Sequence, residues 1–508
     1  MSGIVGQSAS ELARRIREGE CSSVEVVEAH IARIEVVNPK INAVVFKRYD
    51  AARAEAKAAD AKRARGETLG ALHGVPMTVK ECLDLTGTPS TFGITARAQH
   101  RASADEVHVA RLRAAGAIVL GKTNVSQCLI YTEADNPVYG RTNNPWNPER
   151  TPGGSSGGEA AIIAAGGSSL GLGTDIGGSV RTPAAFCGIA SLKPTSGRMD
   201  DPGEFSAPPG QRVIPSQVGV MARCVEDVAL GYRIAAQAET PAVDVSQLRV
   251  AYSTDDGSFE TAPAVKRAVQ SAAQILRDAG AQVTAWTPPD AREMYSVFSA
   301  ILTADSGAHL KRITEGGPRT PQLKQLLIGG SIPVALLPMV RALLRAVGQH
   351  GLDFNLSAFG PPTADRYFAL VQRVVEYRQK FLQQLNTTPG GPFDLILAPA
   401  SSLPAFTHGA TRDLLTAGAY APLYNLLGYP AGVVPVTRVQ AGEESVRVAS
   451  SDVVVKLARK AEQGSAGLPI GVQLIARPWQ EHVALAAMAT IEQAARQRPD
   501  FPMTPKAV

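Results

Sequence analysis

The chain has 508 residues, 44% of them hydrophobic, enough to bury a large core as one oversized domain or two. Its 51 basic and 46 acidic side chains leave a net charge of only +5, too even a balance for a nucleic-acid binder. The five cysteines (Cys21, Cys82, Cys128, Cys187 and Cys224) form an odd set without close pairs and follow no secretory leader, so a reducing cytoplasm is the expected compartment. In chain order, Ser10 and Ser22 read as N-caps of two amphipathic helices, the second closed into a capping box by Glu25, ahead of a turn at Asn38-Pro39. Residues 51–65, rich in Ala, Lys, Arg and Glu, predict an exposed helix. Val75–Lys80 then reads as a strand, Val107–Ala115 as a helix and Ile118–Leu120 as a buried strand. Short β runs follow at Leu248–Tyr252, Leu395–Leu397, Val433–Val436 and Ile470–Ile475, between helices such as Pro263–Ala279 and Glu481–Arg496. This alternation argues an α/β layer fold.

Two glycine-rich stretches carry the chemistry. Gly153-Gly154-Ser155-Ser156-Gly157-Gly158 and Gly173-Thr174-Asp175-Ile176-Gly177-Gly178-Ser179-Val180-Arg181 place Ser155 and Ser179 24 residues apart. A serine hydroxyl is a weak nucleophile at its own pKa, so such a site must supply a base and a receiver for the oxyanion. Glycines serve the receiver, because a backbone without Cβ lets N–H groups approach a ligand closely. Ile176, Gly177, Gly178 and Ser179 read as successive amides curled around an incoming carbonyl oxygen. A flexible linker is the bland reading of the first stretch, but the helical run Glu159–Ala165 follows it at once. Lys80 ends an apolar strand that buries its ammonium, and burial favours the neutral amine that accepts a proton. Asp175 and Arg181 flank the second serine and are expected to pair and brace the loop, with Ser156 in a supporting place.

Rival chemistries fail on the residues. Gly153–Gly157 fits the G-x-S-x-G elbow, but that elbow needs a strand before it, and Asn143–Pro152 holds three prolines. The eight histidines are scattered, with no H-E-x-x-H and no paired Cys/His spacing, so neither a metal nor a cofactor is expected. Cys82, near Lys80, reads as a small buried hydrophobe rather than a nucleophile.

These stretches resemble the amidase signature family, through TPGGSSGGEAA, GLGTDIGGSVRTP and FCGIASLKPT, densely over Leu72–Pro194. The resemblance implies that Ser179 is the acylated nucleophile, that Ser155 bridges it to the base Lys80, and that a cis peptide follows Gly154. It also implies a mixed central sheet wrapped by helices, as one domain over 1–508. Within that domain it expects N-terminal helices over 1–65, a catalytic core over 66–230, a cap-like insertion over 318–350 and the rest of the core over 380–508.

Within the family the chain is most similar to the fatty acid amide hydrolases, through Lys80-Glu81-Cys82, Asn136-Pro137, Leu423-Tyr424-Asn425, Pro430–Val436, Gly467-Leu468-Pro469 and Pro478-Trp479-Gln480-Glu481. There, a hydrophobic cap at the place of residues 323–348 sits on the membrane and opens to an acyl channel. Leu336, Val340, Leu343, Leu344 and Val347 recur here at helical spacing on one arc, with Arg341 and Arg345 outside it, while Pro333 and Pro338 break the run. A core-facing helix is the plain reading of the arc, and an interfacial helix touching headgroups is the functional one. Two departures stand out. Residues 1–30 read as polar and helical where the animal enzymes carry a transmembrane helix, and Leu129 and Ile130 stand where a Met-Phe pair lines the acyl channel. With Trp479 they are the expected substrate contacts.

The expected activity is a serine amidase for small amides with a hydrophobic acyl group, with esters as side substrates. It is expected in the cytoplasm, with a peripheral seat on the inner membrane surface through 323–348 and a homodimer both left open. The alternatives are a broad amidase for aryl amides or carbamates, the glutamine-amidase component of an amidotransferase, and a non-catalytic binding protein on the same scaffold. The intact catalytic positions argue against the last. The cap and the absence of a polar substrate clamp argue against the amidotransferase component.

Overall fold

The structure, a computed structural model, describes residues 3–199, 207–444 and 446–505. The outer residues of the expected 1–65 and 380–508 segments, and 200–206 within 66–230, fall outside these. Helices α1 (Ala9–Glu18) and α2 (Ser23–Ile41) come first. Ser8 caps α1 by accepting the Glu11 N–H, whereas Ser10, the expected cap, donates its hydroxyl to Asp227 at 2.8 Å. The Ser22/Glu25 capping box is present. The expected turn at Pro39 is not: α2 runs through the proline to Ile41. So close to a C-terminus proline removes a single helix bond, and the Asn38 side chain accepts the N–H groups of Ala43 and Val44 just beyond.

Strand β1 (Val44–Lys47), helix α3 (Tyr49–Ala64) and strand β2 (Pro76–Lys80) follow, then α4 (Val107–Ala114) and β3 (Ile118–Thr123). A small hairpin, β4 (Asp135–Asn136) and β5 (Gly140–Arg141), precedes α5 (Gly157–Ala164), β6 (Leu170–Asp175) and α6 (Arg181–Cys187). After these come β7 (Ala190–Lys193), β8 (Gln217–Ala222), α7 (Val225–Ala236), β9 (Arg249–Tyr252), α8 (Pro263–Asp278) and β10 (Gln282–Ala285). Pro263 sits in the first turn of α8, where its missing N–H costs nothing.

Five helices then run in succession: α9 (Ala291–Leu302), α10 (Ala308–Ile313), α11 (Pro321–Ser331), α12 (Leu337–Ala346) and α13 (His350–Leu356). The chain closes with α14 (Ala364–Asn386), β11 (Leu395–Pro399), α15 (Pro422–Leu427), β12 (Ala431–Arg438), α16 (Val453–Glu462), β13 (Pro469–Ala476) and α17 (Glu481–Ala495).

Eleven strands form one mixed sheet in the order β1-β3-β2-β6-β8-β7-β12-β13-β11-β9-β10. Its central strands are buried along their whole length, as a sheet covered by helices on both faces requires. Neighbours β3, β2 and β6 run parallel, so their carboxyl ends lie at one edge, the usual place for a ligand site in such sheets. Lys80 closes β2, Asp175 closes β6, and the chain carrying Leu129 and Ile130 leaves β3 there.

The expected arc in α12 is divided. Leu336, Met339, Leu343 and Val347 are exposed at 44, 62, 62 and 57%, whereas Leu337 is buried and Val340 and Leu344 turn to an interior cavity. Arg341, partly exposed, is tied to α13: its Nε donates to Asp353 at 2.7 Å, with Arg345 4.0 Å from the same carboxylate. Among the described residues no single helix is long and apolar enough to cross a membrane. The segments Pro321–Ser331 and Val334–Ala346 meet at a bend of 88°.

Candidate active site

Alternation along β2 puts Thr78 and Lys80 on one side of the strand. Lys80 is fully buried, and its ammonium nitrogen lies 2.7 Å from Ser155 Oγ, 2.8 Å from Thr174 Oγ1 and 3.3 Å from the Thr174 carbonyl oxygen. Cys82 Sγ is 3.9 Å from Thr174 Oγ1, and the residue is buried in the apolar core, as expected of it. Beneath the lysine, Glu159 of α5 accepts the hydroxyls of Thr78 and Thr123, and Thr123 pairs in register with Lys80. Burial pushes the Glu159 carboxyl up to about 7, against the two hydroxyls and the charge of Lys80.

The Gly154–Ser155 peptide is cis. A Cβ on Gly154 would lie 2.4 Å from the Glu133 carbonyl oxygen, so only glycine admits this approach. The two serine segments touch through backbone, since Ser156 N–H donates to the Ser179 carbonyl at 3.2 Å, and Ser156 Oγ lies 3.4 Å from the Thr174 carbonyl oxygen.

The loop after β6 is tied to a buried ion pair. Asp175 receives the N–H groups of Gly178, Val180 and Arg181 at 2.8, 3.1 and 3.4 Å, and Arg181 Nε and Nη2 at 3.1 and 3.0 Å. Burial would raise this carboxyl, but the Arg181 charge and hydrogen bonds outweigh it and hold Asp175 below the usual carboxylate range. Arg181 also donates to Ala421 O, Gln473 and Asn425, anchoring the loop to the far half of the sheet. Gly178 holds φ +106°, a conformation that side chains disfavour, and its N–H is taken by Asp175. The four expected amides therefore differ: Ile176, Gly177 and Ser179 line a cavity, while Gly178 is committed to the loop's own bracing.

That cavity, about 120 Å³, also takes its walls from Leu129, Ile130, Tyr131 and Phe298. It abuts a larger apolar cavity of about 310 Å³, the two sharing Tyr131, Tyr295, Leu326 and Leu415. Trp479, expected as a substrate contact, lies outside both. Its N–H donates to Thr195 Oγ1, its ring stacks 4.7 Å from the Arg198 guanidinium and it is 52% exposed, so it caps a surface turn instead. Sequence reasoning passed over Thr174 and Glu159, although both lie in the quoted motifs. It also missed Tyr295 and Phe298, whose signal was their i, i+3 spacing on α9.

The family profile described as Amidase matches residues 25–485. The chain belongs to the amidase family. It is similar to fatty-acid amide hydrolase 1 of Sus scrofa, 34% identical over 505 residues that cover 95% of this chain and 85% of the relative. It is also similar to a glutamyl-tRNA(Gln) amidotransferase component from Roseiflexus castenholzii, 33% identical over 95% of this chain and 93% of that one. Among solved structures, a fatty acid amide hydrolase shares the fold with TM-score 0.81 at 24% identity, covering 96% of this chain and 85% of that one. A 6-aminohexanoate cyclic dimer hydrolase complexed with substrate matches with TM-score 0.75 at 25% identity over 99% of both chains. The mixed sheet between helices is the architecture this family membership implies.

Proposed function

We propose that this amidase-family chain hydrolyses the C–N bond of amides with a hydrophobic acyl group through an acyl-enzyme on Ser179. One observation carries the reading: a buried Lys80–Ser155 hydrogen bond of 2.7 Å accompanies a glycine-set serine whose chamber abuts an apolar cavity. Ser179 Oγ attacks the carbonyl carbon as its proton passes to Ser155, whose own proton passes to neutral Lys80. The oxyanion meets the backbone amides of Ile176, Gly177 and Ser179. Returning the proton along the same path to the leaving nitrogen lets the amine depart, and water then attacks the ester and releases the acid. Asp175, Arg181 and Ser156 hold the loop, and Leu129 and Ile130 border the acyl path.

A reversible seat on an anionic membrane surface accompanies this reading. Within residues 308–347, Lys311, Arg312, Arg319 and Lys324 outnumber Glu315, whereas Arg341 and Arg345 share the Asp353 carboxylate of α13. The exposed edge of α12 lies in the same segment. Mass-spectrometric screening of the purified protein against N-acyl amides of graded chain length tests the substrate class. Turnover that rises with acyl length supports it, and turnover confined to glutamine or to short aryl amides contradicts it.

A further inference from the structure

The 310 Å³ cavity beyond the Ser179 chamber is not uniformly apolar. Gln322, in the first turn of α11, lines it at 4% exposure, and its side-chain oxygen has no hydrogen-bond partner among the described residues. Four other polar side chains of the wall are committed, while Ser299 and Gln325 also line it. Ser296 pairs with Ser357 at 2.9 Å, Asn355 donates to Asp413 O at 2.9 Å, Arg412 holds the Asp413 carboxylate at 2.7 Å and Tyr295 donates to Leu415 O at 3.0 Å. A buried amide oxygen without a partner is uncommon, because its lost hydration is left uncompensated.

The position is also held firmly. Thr320 caps the helix, Gln127 clips the preceding turn through Pro318 O at 2.9 Å and Thr320 N at 2.8 Å, and the Tyr131 hydroxyl donates to the Gln322 carbonyl. Tyr131 itself borders both cavities, so the helix turn that bears Gln322 is fixed to the passage between them. A half-turn of the last side-chain torsion exchanges acceptor for donor, so the carboxamide can meet a hydroxyl in either role.

From the buried, unpartnered carboxamide oxygen of Gln322 in this largely apolar wall, we infer that Gln322 selects acyl groups carrying a hydroxyl part-way along the hydrocarbon chain. The inference rests on the proposed placement of the acyl carbonyl at Ser179, which directs the chain past Tyr131, Tyr295, Leu326 and Leu415 into this cavity. An ionised group is not favoured there, because the one guanidinium and the one carboxylate of the wall already face each other.

The test uses the full chain with Ser179→Ala, which binds without turning over. N-acyl amides of one chain length, unsubstituted or with a single hydroxyl moved along the chain, are titrated by calorimetry. At one hydroxyl position the affinity should exceed that of the unsubstituted amide on the order of tenfold, the scale of one well-made neutral hydrogen bond. Gln322→Leu should abolish that preference; should it fail to fold, Gln322→Met carries the same expectation. A preference absent at every position, or one that survives the substitution, overturns the inference. Wild-type turnover of the unsubstituted amide reads the amidase proposal separately. Hydrolysis with no hydroxyl preference sinks the inference alone, and a preference lost on Gln322→Leu without any hydrolysis sinks the amidase reading alone.

Discussion

Replacing Asp175 by Asn isolates the brace of the Ser179 loop. The carboxylate is fully buried and accepts three backbone N–H groups, two guanidinium N–H groups and the Asn425 amide at 2.9 Å. Asparagine keeps the shape but removes the charge, and it turns an NH₂ toward groups that are themselves donors. At 3.0 Å, Coulomb attraction to Arg181 is about 5 kcal/mol with an effective dielectric near 20, and an uncompensated buried partner typically costs about 3–5 kcal/mol. Urea unfolding at pH 7 should show a loss of that size, and fluorophosphonate labelling of Ser179 should slow by more than about tenfold as the loop loses its anchor. Because the folded-state pKa is depressed, the wild-type advantage is present above the unfolded value of about 4 and fades only as pH falls below it. A loss under about 1 kcal/mol with unchanged labelling would refute the view that this ion pair organises the loop.

Other substitutions probe separate links. Lys80→Ala should cost about 10²–10⁴-fold in kcat/KM on an amide but markedly less on a matched activated ester, whose leaving group needs no returned proton; equal losses contradict the relay. Glu159→Gln should gain stability relative to wild type as pH rises from about 4.5 to about 7. Over that window the folded wild type holds a proton that the unfolded chain has released, and the shift is worth about 3 kcal/mol; a difference flat with pH in urea unfolding opposes the assignment. Leu336→Glu with Leu343→Glu should weaken cosedimentation with anionic liposomes at least about tenfold while leaving thermal unfolding unchanged, since each exposed side chain contributes about 1.5–3 kcal/mol when buried. Unaltered partition contradicts the membrane seat.

The residues near Ser179 were legible because their chemistry lies in local runs: Lys80 at a strand end, Ser155 and Ser179 among glycines, and Asp175 six positions from Arg181. Six of the eleven sheet strands (β2, β3, β9, β11, β12 and β13) were legible too as short apolar runs, whereas β1, β6, β7, β8 and β10 were not. What escaped depends on tertiary partners. Gly178 looks like a free amide donor until Asp175 folds back on it, and Arg341 looks like a headgroup ligand until α13 presents Asp353. The α12 arc was found by period, but period alone cannot tell the edge that lines a cavity from the edge that meets solvent. Trp479 was carried by a motif whose ring points to a different partner, Arg198. Gln322 gives no local signal at all, because its interest lies in the hydrogen bond it lacks.

In the proposed mechanism Ser179, and not Ser155, carries the acyl group. Reacting the purified chain with a fluorophosphonate and mapping the adduct by peptide mass spectrometry reads this directly. A single adduct on Ser179 is expected, lost on Ser179→Ala and slowed on Lys80→Ala. An adduct on Ser155, or labelling of Ser179 that proceeds equally fast without Lys80, would contradict it.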